Sequence, residues 1–281
     1  MIMHLLPLTG SFAAEVLEIN LAQPLTGKVV DQIKAAFADH MVLVFRDQVL
    51  TLEELESFAL SFGSYGETPF IKTLDSHPNV LRVLREKEES GPLFGSGWHS
   101  DWSFQVEPPS ATLLYGVEVP PAGGDTAFTN QYLAYETLSD VMKDFLRGLQ
   151  GVHSARRSYG PNGTFGRHDP KSSMEIHGDE KAVKEQLHPL VRTHPVTGKK
   201  SLFINDVYTV GIHGMHAAES SPILEFLLQH SRQIQMTSRV RWAPGTLVMW
   251  DNRVVQHFAV DDYAGHRREM YRVTLAGEVP V

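Results

Sequence analysis

Apolar positions along this chain fall into two periods, and the change from one to the other outlines a fold. Between Leu25 and His40, Val29, Ile33 and Phe37 recur every four residues, the spacing of one helix face. Met41 to Phe45 (MVLVF) has no polar residue and predicts a short strand covered on both sides. Thr51 and Glu54 have the spacing of a capping box, opening a helix through Leu55, Phe58, Ala59 and Phe62 that Gly63 closes. A strand is predicted over Ala111 to Val119, ended by Pro120-Pro121 and Gly123-Gly124. Helices are predicted over 138–149 and 222–230, the second capped by Ser221 with Pro222 in its first turn. Strands return at 201–205, 237–242, 246–250, 254–259 and 271–275. Residues 153–187 are polar, with scattered Gly and Pro, and predict a long insertion or lid outside the core. Many short strands with few helices, gathered mostly before or between them, predict a mainly β protein: a sandwich or jelly roll with helical buttresses, as one domain over residues 1–281.

Composition narrows the chemistry. The chain has 281 residues, 42% of them hydrophobic, which suffices for a sizeable core. A net charge of −8 without a basic stripe excludes nucleic acid as an expected partner. There is no cysteine, so disulfides, thiolate zinc sites and iron–sulfur clusters are excluded, and any metal must be held by His, Asp or Glu. The opening MIMHLLPLTGSF lacks a basic region and is interrupted by Pro7, so no signal peptide is expected. No apolar run approaches the ~18 residues of a membrane span. The expectation is a soluble, cytoplasmic protein without a membrane partner.

His99-Ser100-Asp101, set between Trp98 and Trp102, is the candidate for chemistry, together with the distant His257. Two imidazoles and a carboxylate on one face of an octahedral metal are the ligand set of non-haem Fe(II) oxygenases. On a strand, residues 99 and 101 would point to the same side. A second His-x-Asp, His177-Gly178-Asp179, lies in the charged stretch KSSMEIHGDEKAVKEQ, without the aromatic flanks of the first. Arg272, among Tyr271, Val273 and Leu275, is placed to reach the metal face and to grip a carboxylate with two parallel hydrogen bonds.

With these residues in hand, three motifs in order resemble the taurine and aryloxyalkanoate dioxygenase family of Fe(II)/2-oxoglutarate enzymes. They are WHSDWSF at 98–104, PPAGGDTAF at 120–128 and WDNRVVQHFAVDDYAGHRREMYRVTL at 250–275, and the likeness extends back to FRDQ at 45–48. The resemblance implies a double-stranded β-helix, or jelly roll, with His99, Asp101 and His257 as metal ligands and catalytic centre. It implies Fe(II) as cofactor, 2-oxoglutarate and O₂ as cosubstrates, succinate and CO₂ as products, and hydroxylation of a substrate C–H. It further implies that Arg272 and Thr126 bind the cosubstrate, Arg272 at its distal carboxylate, and that Arg268 meets the acidic group of the organic substrate. Because Asp101 is present, a halide has no vacant ligand position and halogenation is excluded. Family members form dimers and tetramers, and a homo-oligomer is compatible with the chain.

For the substrate, a small organic anion is expected. Taurine enzymes offer a histidine and an asparagine where this chain has Gly66–Phe70 (GETPF) and Gly95-Ser96-Gly97. Phe70-Ile71-Lys72 instead resembles the aryloxyalkanoate dioxygenases, and Glu89–Gly91 and Val152–Ala155 resemble the (R)-2-aryloxypropanoate members. A pocket of Lys72, Arg268, Phe70, Trp102, Tyr159 and Tyr208 would suit a carboxylate with an aryl or alkyl body. A sulfonate or alkyl sulfate dioxygenase of the same family is the alternative. Outside that class stand a zinc hydrolase, for which the chain has no HExxH helix, and a non-catalytic jelly-roll binding module, against which the intact ligand set argues.

Overall fold

The protein, seen in a computed structural model, is described over residues 3–167 and 169–281. Seven strands form the major sheet, in the order His4–Pro7, Ala14–Leu17, Val42–Phe45, Leu247–Asp251, Ala111–Glu118, Arg268–Leu275 and Val80–Arg85. All neighbours are antiparallel except Ala14–Leu17 against Val42–Phe45. A three-stranded sheet, Thr237–Val240, Thr126–Asn130 and Val255–Ala259, faces it. The two sheets make the jelly roll.

Alternation along the strands divides the core in two. Leu43, Phe45, Leu113, Tyr115, Leu247, Met249, Val273 and Leu275 pack on helices Gly27–His40 and Leu52–Leu60 through Ile33, Phe37, Leu55 and Phe58. Val42, Val44, Leu114, Val248, Trp250 and Met270 point the other way, meeting Phe128, Val240 and Val255 of the smaller sheet. The periodic positions of the first helix are therefore its packing face. Both halves of the Thr51–Glu54 capping box form, with Glu54 N–H donating to Thr51 and Thr51 N–H donating to Glu54.

Three sequence expectations shift. The helix expected to start at Pro222 runs Ala217–Ser231, its start held by Glu219, which accepts the His216 N–H; Pro222 lies inside it at the sixth position and gives up one i→i−4 hydrogen bond. The last strand begins at Arg268, three residues before the apolar run, so Arg268, Met270 and Arg272 share its inner face. Residues 153–187 are not free of the core. Tyr159, Met174, Ile176 and Ala182 are buried against Ile71, Leu81, Trp102 and Tyr208. The stretch also holds helix Arg156–Tyr159 and part of the sheet Thr209–Ile212, Gln150–Ser154, Glu185–Pro189.

Candidate metal centre and its two arginines

His99 and Asp101 do not lie on a strand. His99 forms a single antiparallel bridge with His257, on strand Val255–Ala259, and each accepts the other's backbone N–H at 3.0 and 2.8 Å. This pairing brings the rings side by side, with centroids 4.1 Å apart. Two residues beyond Asp101's neighbour Ser100 the chain bends sharply: Trp102 sits at φ 44°, an unusual conformation for a bulky side chain. The bend, not strand alternation, aims Asp101 at the histidines.

Asp101 Oδ1 lies 3.6 Å from His99 Nε2 and 3.7 Å from His257 Nε2, all three residues buried. His99 Nδ1 donates to the Gly97 carbonyl at 2.8 Å, which leaves Nε2 as the lone-pair nitrogen. Burial pulls the His99 pKa down, and burial with the neighbouring His99 pulls His257 well below its usual value. Both imidazoles are therefore neutral and ready to bind a metal. Burial pushes the Asp101 carboxyl up, but Arg272, His257, His99 and the Thr112 hydroxyl together outweigh it and hold it at about 2. Asp101 Oδ1 is buried and receives no hydrogen bond. A buried, ionised oxygen left bare between two imidazole lone pairs fits a divalent cation. Among the described residues these three form the one such cluster of three or more potential ligands. His177 instead is exposed and pairs with Glu175 at 3.0 Å, and Asp179 caps a turn of 3₁₀ helix at Glu180–Val183.

The two arginines stand at separate places on the last strand, and Arg272 reaches the metal-ligand cluster as its sequence setting suggested. Arg272 Nη2 lies 3.1 Å from Asp101 Oδ1, and its guanidinium covers Trp102 at 4.9 Å. Arg268 lies four residues, or two repeats of the pleat, away, about 13 Å along the strand at ~3.3 Å per residue. It covers Trp242 at 5.7 Å, and Trp242 Nε1 donates to Thr126 Oγ1 at 3.0 Å. Thr126 is thus grouped with Arg268, not with Arg272. Arg268 donates to the Gly124 carbonyl at 3.3 Å, but its Nε, like Arg272 Nε, is buried without an acceptor, and Arg272 Nη2 meets Asp101 as an ion pair without a hydrogen bond. Buried guanidiniums with unused donors suit anionic ligands.

Beside the metal ligands lies a small cavity of about 30 Å³ lined by Phe94, Phe165, Trp102, Tyr159, Tyr208 and Arg272. Trp102, Tyr159 and Tyr208 thus line the cavity beside the metal-ligand cluster. Phe70 is one layer back, stacked on Tyr159 at 5.0 Å. Lys72 is half exposed and pairs with Glu175 at 3.4 Å, outside this cavity. Phe94 and Phe165 escaped the sequence reading, because each stands alone in a loop with no periodic neighbours. Thr112 and Asn252 escaped it too: Thr112 donates to Asp101 Oδ2 at 2.7 Å, and Asn252 Oδ1 accepts from Asp101 N–H at 3.3 Å. Asn252 stood in the quoted WDNR run but read as a turn residue.

The comparisons agree with this geometry. Residues 4–274 match the family model described as "Taurine catabolism dioxygenase TauD, TfdA family". An alkylsulfatase of Acinetobacter baylyi is 34% identical over 285 residues, covering 99% of this chain and 86% of the relative. The alpha-ketoglutarate-dependent 2,4-dichlorophenoxyacetate dioxygenase of Cupriavidus pinatubonensis is 33% identical, covering 98% of each chain. The crystal structure of AAD-2 in complex with Mn(II) and N-oxalylglycine superposes with a TM-score of 0.85 at 30% identity, covering 100% of this chain and 99% of that one. With its jelly roll, its His-Asp-His cluster and this end-to-end match, the chain belongs to the TauD/TfdA family and is an Fe(II)- and 2-oxoglutarate-dependent dioxygenase.

Proposed function

We propose that the enzyme hydroxylates a C–H of a small organic anion with an aryl or alkyl body, an aryloxyalkanoate carboxylate first among them. The observation that carries this reading is the pocket itself: among the described residues Arg272 is the one cationic side chain lining the cavity beside the metal ligands, and the remaining walls are largely aromatic. His99, Asp101 and His257 would hold Fe(II), which when bound supplies O₂ activation coupled to decarboxylation of 2-oxoglutarate to succinate and CO₂. The residues do the rest. Arg268 and Thr126 bind the distal carboxylate of 2-oxoglutarate, since they flank the same indole and lie away from the metal ligands. Arg272 orients the anionic groups nearest the metal, because it already touches Asp101. This exchanges the roles that the resemblance assigned to the two arginines. Tyr159, Tyr208, Trp102, Phe94 and Phe165 exclude water and hold the organic body, with Phe70 supporting Tyr159 from behind.

A sulfate ester is the second reading, favoured by Lys72. With its ammonium engaged by Glu175, the lysine that most recommended an aryloxyalkanoate does not reach the cavity. The proposed setting is the cytoplasm, with no nucleic-acid or membrane partner; among the described residues no helix is long and apolar enough to cross a membrane.

The test is substrate-stimulated succinate formation with Fe(II), ascorbate, 2-oxoglutarate and O₂. The panel is both enantiomers of an aryloxypropanoate, an alkyl sulfate and taurine. Stimulation by one aryloxypropanoate enantiomer with phenol release is the expected result. Stimulation by the alkyl sulfate or taurine alone would replace it with the second reading or with a sulfonate.

A further inference from the structure

We infer that Thr112 and Asn252 are positioning residues that keep Asp101 a one-oxygen ligand, so that the metal face stays open for cosubstrate and O₂. The inference rests on the metal-site reading above, but names residues which that reading leaves out. It begins with the direction of three hydrogen bonds. Trp250 Nε1 lies 3.0 Å from Asn252 Oδ1, and an indole N–H can only donate. That fixes the Asn252 amide with its oxygen toward Trp250 and its nitrogen toward Thr112, where Nδ2 donates to Oγ1 at 2.8 Å. An amide NH₂ also only donates, so the single Thr112 hydroxyl proton is left for Asp101 Oδ2, 2.7 Å away. Each link has one polarity, and the chain ends on one chosen oxygen of the carboxylate.

The consequence falls on Asp101. Oδ2 is occupied by a short hydrogen bond to an ionised acceptor, the stronger kind. Oδ1 receives no hydrogen bond and faces the two histidines, with Arg272 Nη2 3.1 Å away. A carboxylate free to rotate would offer both oxygens and consume an extra metal position. Held as it is, it offers one. With two imidazoles the protein would then offer three ligand atoms to a bound metal and leave the rest of its coordination to cosubstrate and O₂.

The support is rigid and dry. Thr112, Trp250 and Asn252 are at most 2% exposed. Thr112 and Trp250 are paired residues on neighbouring strands of the major sheet. The turn that carries Asn252 is fastened by Arg253, whose fork holds both oxygens of Asp251 at 2.8 and 2.7 Å, and by His194 on Asp251 at 3.1 Å. Asn252 Oδ1 also accepts the Asp101 backbone N–H, so the same amide orients main chain and side chain of the ligand. Partners of this kind behind a metal ligand are worth about 10- to 100-fold in metal affinity or activity.

The experiment is an oxygen-free titration of the full-length protein with Co(II), whose visible absorption reports both affinity and coordination number, before and after 2-oxoglutarate is added. Thr112→Val keeps the shape and removes the hydroxyl; Thr112→Ser keeps the hydroxyl and removes the methyl. The expected result is a roughly 10- to 100-fold weaker Co(II) affinity and an altered spectrum for Thr112→Val. Thr112→Ser should keep the wild-type values. Wild-type behaviour in Thr112→Val would overturn the inference, as would equal losses in both variants, which would mean that packing alone matters. If Thr112→Val does not fold, Asn252→Ala carries the test: it removes both the donor to Thr112 and the acceptor of the Asp101 N–H, and unchanged Co(II) affinity and spectrum would overturn the inference. Wild-type protein that binds no Co(II) would instead bring down the metal-site reading beneath it.

Discussion

Replacing Arg268 by Gln should separate cosubstrate binding from metal binding. Arg268 is 5% exposed, on the inner face of strand Arg268–Leu275. Burial lowers its pKa, with Tyr263 and Asp125 only partly restoring it, so its charge lacks a full partner within the protein. Its internal hydrogen bond, to Gly124, is long at 3.3 Å, and its Nε–H has no acceptor. A carboxylate arriving there would receive charge-assisted hydrogen bonds worth about 1.5–3 kcal/mol each. Losing one partner of such a buried pair costs roughly 2–5 kcal/mol. Taking about 3 kcal/mol, 2-oxoglutarate should bind roughly 100-fold more weakly to the Gln variant. The assay is calorimetric titration of 2-oxoglutarate into oxygen-free, Mn(II)-loaded protein, where no turnover can occur. Mn(II) affinity should be unchanged, because Arg268 contacts none of the ligands. The melting temperature of the ligand-free protein should change little, because relieving a buried, incompletely paired charge offsets the lost contact with Gly124. Unchanged cosubstrate affinity would refute the assignment. So would a large loss in Arg272→Gln with none in Arg268→Gln, which would restore the order suggested by the sequence.

Three further outcomes are expected. Asp101→Ala or His99→Ala should abolish Co(II) binding and turnover, while His177→Ala should leave both intact; the reverse pattern would place the metal at the second His-x-Asp. Acid should destabilise the fold through its buried histidines. Burial, then His188, depresses His153 to about 3, and burial depresses His188 to about 4. Both are neutral in the fold but take up protons below about 6.5 once unfolded, so their contribution is full above 6.5 and is lost as pH falls toward 3 to 4. For His153 that amounts to about 2 kcal/mol between pH 7 and pH 5. His153→Gln should flatten the melting-temperature profile over that range, and an unchanged slope would show that the depression is absent. Lys72→Ala should leave the affinity for the preferred substrate almost unchanged, as an exposed pair contributes under about 1 kcal/mol; a tenfold loss would return Lys72 to the pocket.

Much of this was legible in the residues, for reasons that differ by element. The first two helices were legible because a packing face repeats at 3.6 residues and a capping box has a fixed spacing. The metal ligands were legible because few residue types can hold iron in a cysteine-free chain. That Arg268 shares its indole with Thr126 was not legible, because the grouping is made by Trp242, far from both in sequence. Lys72 was assigned to the pocket because sequence does not show that Glu175, over a hundred residues on, takes its charge. Thr112 and Asn252 could not be found by pattern: a hydroxyl on a strand and an amide in a turn acquire meaning only when folding sets them beside Asp101. The 153–187 stretch read as an insertion or lid outside the core because its apolar residues, Tyr159, Met174 and Ile176, are spread among polar ones without a period.

The most direct measurement is succinate formed per molecule of hydroxylated product, with Fe(II), 2-oxoglutarate and O₂, in wild-type protein and in Asp101→Ala. The expected result is one succinate per product in the wild type, stimulated by the organic anion, and none in Asp101→Ala. Product without succinate, or turnover that survives the loss of Asp101, would contradict the assignment of this buried cluster as the iron centre of a 2-oxoglutarate-dependent dioxygenase.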